Sequence, residues 1–188
     1  LRVLILIAMM AAATASAAAQ EATPSAGEFV TPDPAECIIE PRSLESILAI
    51  QGTPPPDLRT PVSIATPGLQ VPDGGEPADP ATVGAVTTTI HALVACENAG
   101  DQLRRFAFYT DNVLWYFETQ QPLPPEQKIA MFGGTPVALP PEQIVAVRVG
   151  EVRVLPDGEL IAVVERRMTV GTSTIVYVLV QEGERYLI

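Results

Sequence analysis

Apolar positions along the chain follow a helical spacing between residues 80 and 107 and a strand spacing beyond residue 140. The first stripe recurs mostly at intervals of three and four residues, which places its members on one face of a long helix. Its members are Val83, Val86, Ile90, Leu93 and Val94. Asp79 and Pro80 have the residue types of an N-cap and a first helical position, and Gly100 predicts the helix end.

A shorter helix is predicted directly after this break, with Asp101 as its cap. Its buried side consists of Leu103, Phe106 and Ala107. Arg104 and Arg105 are expected on the solvent side. Residues 110–117 are rich in aromatics and fit either a third helix or a short strand, and residues 126–132 fit another short helix.

The C-terminal part of the chain predicts an antiparallel sheet. Strands are expected at residues 144–155, 159–168, 175–181 and 185–188, with turns at 156–158 and 171–173. In the first strand the apolar phase changes across Gly150, which predicts a β-bulge there. The next two strands are apolar on both faces. Helices are therefore expected to cover one face, and a second subunit is a candidate cover for the other.

Residues 1–19 have the pattern of a signal peptide. Arg2 precedes a continuous apolar run, and three alanines ahead of Gln20 fit a cleavage site. The interpretation is an extracytoplasmic protein, secreted or held in the periplasm or at the cell surface. If the segment were not cleaved, it would anchor the chain in a membrane. The net charge of −11 argues against a nucleic-acid partner, because phosphate binding needs a basic face.

Residues 20–79 resemble a linker rich in proline, threonine and alanine, since 12 of the 19 prolines lie before residue 81. A short ordered segment is predicted at residues 37–52, with Ser43 as a helix cap and Gly52 as the helix end. The segment begins at Cys37, and Cys96 lies near the end of the long helix. A disulfide between them would contribute roughly 4 kcal/mol by the chain-entropy argument. The alternative is a free thiol at Cys37 and a small buried side chain at Cys96.

Residue types for metal or cofactor chemistry are scarce. One histidine and two cysteines fall short of the four ligands of a structural zinc. His91 lies away from the apolar stripe and is expected at the surface. The sequence contains no glycine-rich phosphate loop and no nucleophile elbow, so neither a cofactor nor a metal is predicted.

The block of residues 80–188 resembles the nuclear transport factor 2-like superfamily. The residues that carry the resemblance are the helix break at 95–101, the segment 106–111, the turn at 152–158 and the final strand at 183–188. It is particularly similar to secreted or anchored bacterial members that have a Pro/Thr/Ala-rich N-terminal region. The resemblance implies an α+β fold, in which helices pack on a curved, bulged antiparallel sheet to form a cone. Cystatin-like proteins share this general arrangement.

This resemblance implies a non-catalytic module that binds a small apolar ligand in the cone, or one that forms a homodimer through the open face of the sheet. Candidate pocket residues are Tyr109, Asp111, Trp115 and Tyr177. Two alternatives remain open: an isomerase- or cyclase-type enzyme with an acid–base pair in the cone, and a membrane-anchored structural or regulatory domain.

Each candidate residue also has a purely structural interpretation. Asp111 is a suitable helix cap, Tyr177 a suitable packed aromatic, and Trp115 a suitable core residue. Glu165, followed by Arg166 and Arg167, is expected at a solvated strand end. No residue is therefore assigned a catalytic role.

Overall fold

The computed structural model of the chain describes residues 27–50, 74–120 and 122–188. The predicted signal peptide, most of the predicted linker and the expected helix end at Gly52 lie outside the described residues. Within them, helices and an antiparallel sheet form an α+β structure. The helices are α1 (Leu44–Ala49), α2 (Pro80–Asn98), α3 (Gln102–Phe106), α4 (Asp111–Gln120) and α5 (Pro125–Phe132). Of residues 110–117, which fitted a helix or a strand, residues 111–117 thus belong to helix α4.

Local side-chain caps explain where three of these helices begin. Asp79 accepts hydrogen bonds from the backbone N–H groups of Ala81 and Thr82 at the start of α2. Ser43 caps α1 and Asp101 caps α3 in the same manner. These contacts satisfy donors that the first helical turn leaves without a partner, so the predicted caps are confirmed.

The strands form an antiparallel sheet in which each strand pairs with the next along the chain. They are β1 (Glu76–Pro77), β2 (Ala146–Val154), β3 (Leu160–Met168), β4 (Gly171–Glu182) and β5 (Arg185–Leu187). The turn expected at 171–173 was wrong. These residues already belong to β4, and the chain reverses at Thr169–Val170, where Val170 is 90% exposed. The prediction failed because residues 171–173 are small or polar, a composition that is common both in turns and at exposed strand ends.

The bulge predicted at Gly150 is confirmed by the pairing of β2 with β3. Val149 lies opposite Val164, whereas Val152 lies opposite Ala162. Two residues of β2 therefore face a single residue of β3, which shifts the phase of the following side chains. As a result, the apolar residues on both sides of the bulge point to the same face of the sheet.

Helix α2 packs on that face, and two apolar clusters result. The cluster between α2 and the sheet, here called the sheet core, contains Val86, Ile90, Val94, Val145, Val147, Val152, Leu160, Ala162, Val164 and Leu179. The cluster among the helices, here called the helix core, contains Ile47, Leu93, Cys96, Phe108, Tyr109 and Leu114. Each large apolar side chain removed from water contributes about 1.5–3 kcal/mol, so these clusters are the main stabilising contacts of the fold.

The residues before α2 are bound to the domain by a disulfide and by backbone pairing. Cys37 and Cys96 form the predicted disulfide, with Cα atoms 4.7 Å apart. Val30 exchanges two backbone hydrogen bonds with Val147, of 2.8 and 2.7 Å. Strand β1 pairs with the other end of β2, although its residues fell in the predicted linker. Both ends of the outer edge of β2 are therefore paired.

Asn98 joins three parts of the chain at the end of α2. Its side-chain amide donates to the carbonyl oxygens of Pro32 and Val145, each at 3.1 Å, and its side-chain oxygen accepts from the Val145 N–H at 2.9 Å. Asn98 is fully buried. This residue therefore fixes both the N-terminal segment and the start of β2 against the long helix.

Candidate functional site

The structure brings together two of the four candidate pocket residues. Tyr109 follows α3 and is almost fully buried, and Tyr177 lies on β4, where it contacts both the sheet core and the helix core. Asp111 has a 60% exposed side chain and forms an ion pair with Arg42 at 2.5 Å. Trp115 is half-buried on α4. Asp111 thus participates in a surface ion pair.

A set of charged side chains lies beside the two tyrosines. Glu97 of α2 forms an ion pair with Arg166 of β3, and its second carboxylate oxygen is 4.0 Å from Arg105 of α3. The side chain of Arg166 is 13% exposed and that of Glu97 is 18% exposed. We refer to Glu97, Arg105, Tyr109, Arg166 and Tyr177 as the polar cluster. Because Tyr177 contacts both apolar cores, we place the polar cluster at their junction, where its three charged side chains are 13–27% exposed.

The burial of Arg166 corrects the expectation that it was solvated. Successive residues of a strand point to opposite faces, so Arg166 shares the α2 side of the sheet with Val164. Glu165 and Arg167 point to the other side, where Glu165 forms an ion pair with Arg148. The alternation of β3 therefore places Arg166 inside the domain and its two neighbours outside.

Arg105 was also expected on the solvent side, but its side chain is only 27% exposed. Burial by itself lowers the pKa of the Arg105 guanidinium, yet the adjacent Tyr109 and Glu97 outweigh this effect and hold its pKa above the ordinary value. Arg105 is thus a half-buried charged group of the domain.

The phenol of Tyr177 remains protonated over the whole physiological range. Burial raises its pKa, Tyr109 and Glu97 raise it further, and the opposing effects of Arg166 and Arg105 leave it at about 12. A neutral phenol can donate a hydrogen bond to an acceptor. The polar cluster therefore contains two phenol groups, two guanidiniums and one carboxylate, and the guanidiniums and the carboxylate give it a formal charge of +1.

The two guanidiniums retain hydrogen-bonding capacity. In the part of the chain that the structure describes, the Nε–H groups of Arg105 and Arg166 are buried and have no hydrogen-bond partner. Buried donors are nearly always satisfied in folded proteins, because an unsatisfied donor costs about 1–3 kcal/mol. Two such donors lie around one carboxylate in the polar cluster.

Two shallow surface pockets lie elsewhere. One, of about 260 Å³, is bordered by α2 and β5 and includes Thr88, Phe108 and Tyr186. The other, of about 300 Å³, includes Asp101 and Phe132. Neither pocket is lined by a charged member of the polar cluster. Both are open to solvent, and their linings mix polar and apolar side chains.

Other chemical features of the described residues are few. His91 is half-buried, and burial lowers its pKa while Glu36 opposes that change. Residues 27–50, 74–120 and 122–188 contain no group of three or more side chains suited to hold a metal ion. No helix in these ranges has the length and hydropathy needed to span a bilayer.

Comparisons with known proteins return no similarity: no family model, curated protein or solved structure matches the chain. The candidate site therefore rests on the geometry of the polar cluster. Sequence reasoning found Tyr109 and Tyr177 but missed Glu97, Arg105 and Arg166. Leu160, Ala162 and Val164 are alternate residues of β3 on one face of the sheet. Arg166 is the next residue in this alternation, so the sequence pattern could have predicted that its side chain lies on the same face.

Proposed function

We propose that the chain is an extracytoplasmic, non-catalytic module that binds a small molecule at the polar cluster. The observation that carries this proposal is the position of the polar cluster, between two apolar cores. Charged groups removed from water are costly unless they are paired, so a partly paired set at this position is expected where a ligand binds. The apolar side chains on either side would contact the body of the ligand.

We further propose that the fold is of the nuclear transport factor 2-like type. Three features support this assignment: consecutive helices precede the main strands, those strands form an antiparallel meander, and β2 is bulged. A bulge increases the local bend of a sheet, which favours an enclosed space beneath α2. In such a cone, the polar cluster would line the interior.

The disulfide supports the proposed location. Bridges of this kind persist in oxidising compartments, and the Cys37–Cys96 bond is compatible with an extracytoplasmic protein. Sequencing the N-terminus of the mature protein tests the location and separates two alternatives. A start near Gln20 in a soluble fraction agrees with the proposal. An intact N-terminus in a membrane fraction would favour an anchored display domain.

The isomerase or cyclase alternative has weaker support. That chemistry needs a carboxylate free to accept a proton near a donor that faces the substrate. Asp111 is engaged by Arg42 at the surface, and Glu97 is engaged by Arg166. A binding role requires no free base and is therefore preferred.

Titration of the ¹⁵N-labelled protein with benzyl alcohol and 3-phenylpropionamide, followed by NMR, tests the binding proposal. Binding at the polar cluster would shift the amide signals of Glu97, Arg105 and Tyr177 in a saturable manner. Shifts restricted to residues of the surface pockets, such as Thr88 and Phe132, would refute it. The same titration with phenol would show whether an aromatic hydroxyl is sufficient.

A second candidate function is homodimerisation through the sheet face opposite α2. Val163 pairs with Val176, and these two side chains and Val178 are partly exposed on that face, whereas Ile161 opposite Val178 is already fully buried. Sedimentation of the wild-type chain and of Val176→Glu would test this candidate. A monomer at all concentrations would exclude it.

A further inference from the structure

We propose that the ligand of the polar cluster is a small monocarboxylic acid with an apolar body. This inference rests on the proposed binding function and specifies the ligand class. It follows from the charges and the donors of the polar cluster, taken together with its apolar surroundings.

The charges of the polar cluster are unequal. Glu97 faces two guanidiniums, those of Arg166 and Arg105, of which only Arg166 makes a close ion pair. The positive charge of the half-buried Arg105 is therefore incompletely compensated within the polar cluster. A single negative charge on a ligand would balance it, whereas a cation or a dianion would leave a larger imbalance.

The unused donors also match a carboxylate. The buried Nε–H groups of Arg105 and Arg166 have no partner among the described residues. Guanidinium groups bind planar carboxylates through parallel N–H donors, and hydrogen bonds to charged groups are stronger than neutral ones. The neutral hydroxyl group of Tyr177 is a further donor type in the polar cluster, and a carboxylate accepts from donors of both kinds.

The surroundings favour an apolar body over a polar one. Tyr177 and Ile188 contact both the sheet core and the helix core, so the polar cluster is flanked by aliphatic and aromatic side chains. A ligand such as a sugar acid would leave its hydroxyl groups without partners there, at a cost for each. An aryl or alkyl acid would instead exchange water for apolar contacts.

A matched pair of probes tests the inference separately from the proposed function. 3-Phenylpropionate and 3-phenylpropionamide have nearly the same shape but differ in charge. We expect the acid to shift the signals of Arg105, Arg166 and Tyr177 with at least tenfold higher affinity than the amide. Equal binding of both probes at the polar cluster would overturn the inference and leave the proposed function standing. Binding of neither would overturn both.

The Arg105→Gln variant tests the donor directly. Arg105 lies farther from Glu97 than Arg166 does, so its replacement leaves the closer ion pair in place. We expect the affinity for 3-phenylpropionate to fall about tenfold and the affinity for the amide to remain unchanged. Arg167→Gln, on the opposite face of the sheet, is the matched control and should change neither affinity. Equal losses for both probes would overturn the inference.

Arg105→Lys covers the case in which the glutamine variant fails to fold. Lysine keeps the charge but lacks the planar fork, so binding of the acid should be weaker than in the wild type and still stronger than that of the amide. Unchanged affinity for the acid would overturn the role of Arg105.

Discussion

Replacing Asn98 by alanine should destabilise the domain more than any other single deletion of a polar side chain among the described residues. Asn98 is fully buried and its side chain makes three hydrogen bonds, to Pro32 and twice to Val145. Each such bond contributes about 1 kcal/mol, and buried groups left without partners add to the cost. We expect a loss of about 3–5 kcal/mol in the free energy of unfolding, summed from these terms.

Urea denaturation followed by circular dichroism measures this loss through the change in transition midpoint. The Asn98→Asp variant is informative as well, because it retains the shape and the acceptor for the Val145 N–H. Its second oxygen would face two carbonyl oxygens, so it should be destabilised at neutral pH by a similar amount. Gln181→Ala is a matched control, since Gln181 is exposed and donates only to Gly183. If Asn98→Ala and Gln181→Ala cost the same, the assigned role of Asn98 is refuted.

Three further predictions concern other positions. Gly100→Ala should cost about 3 kcal/mol, because Gly100 has φ +67° and an added Cβ would lie 2.0 Å from the Val137 carbonyl oxygen; thermal unfolding measures this loss. The pKa of Tyr177 is about 12 in the folded protein and about 10 in the unfolded chain. The neutral phenol therefore makes its full contribution to the free energy of unfolding below pH 10, and this contribution is lost as the pH rises to 12. Denaturation at pH 9 and 12 should show a loss on the order of 2–3 kcal/mol that Tyr177→Phe abolishes. The Cys37→Ala/Cys96→Ala double variant should lose roughly 4 kcal/mol in the free energy of unfolding, measured in urea.

Each of these predictions has a control. Gly84→Ala, on the exposed side of α2, meets no atom within 4 Å and should be neutral or stabilising. A similar effect at Gly84 and Gly100 would contradict the argument from φ and contact. For Tyr177, an equal loss in the free energy of unfolding between pH 9 and 12 in the wild type and in the phenylalanine variant would show that another group titrates. For the disulfide, wild-type protein treated with a reducing agent should unfold at the same urea concentration as the double variant.

Signals in the sequence were sufficient to predict the helix starts, the bulge and the disulfide. Asp79, Ser43 and Asp101 act on backbone groups two or three residues away, so their effect depends little on the rest of the fold. The phase change across Gly150 is likewise visible within one strand. The Cys37–Cys96 bridge was anticipated from the count of cysteines and from the marginal stability of a short isolated helix.

The remaining features depend on residues that are distant in sequence. Arg105 and Arg166 have the composition of surface residues, and only the position of Glu97 opposite them explains their burial. The pairing of Val30 with Val147 joins segments more than a hundred residues apart, and no local pattern marks it. The two-residue strand β1 is too short to show any alternation of apolar and polar side chains.

The backbone pairing at both ends of the outer edge of β2 has a consequence for what constitutes an autonomous folding unit. A chain cut just before Asp79 would retain α2 and every strand from β2 to β5, and by sequence criteria it would contain the whole domain. It would nevertheless lose the partners of Val147 and Val154 and leave the Cys96 thiol unpaired inside the helix core. Unpaired strand edges promote association between molecules. Val30 and strand β1 therefore occupy edge positions of β2 that would otherwise be open to strands of other chains.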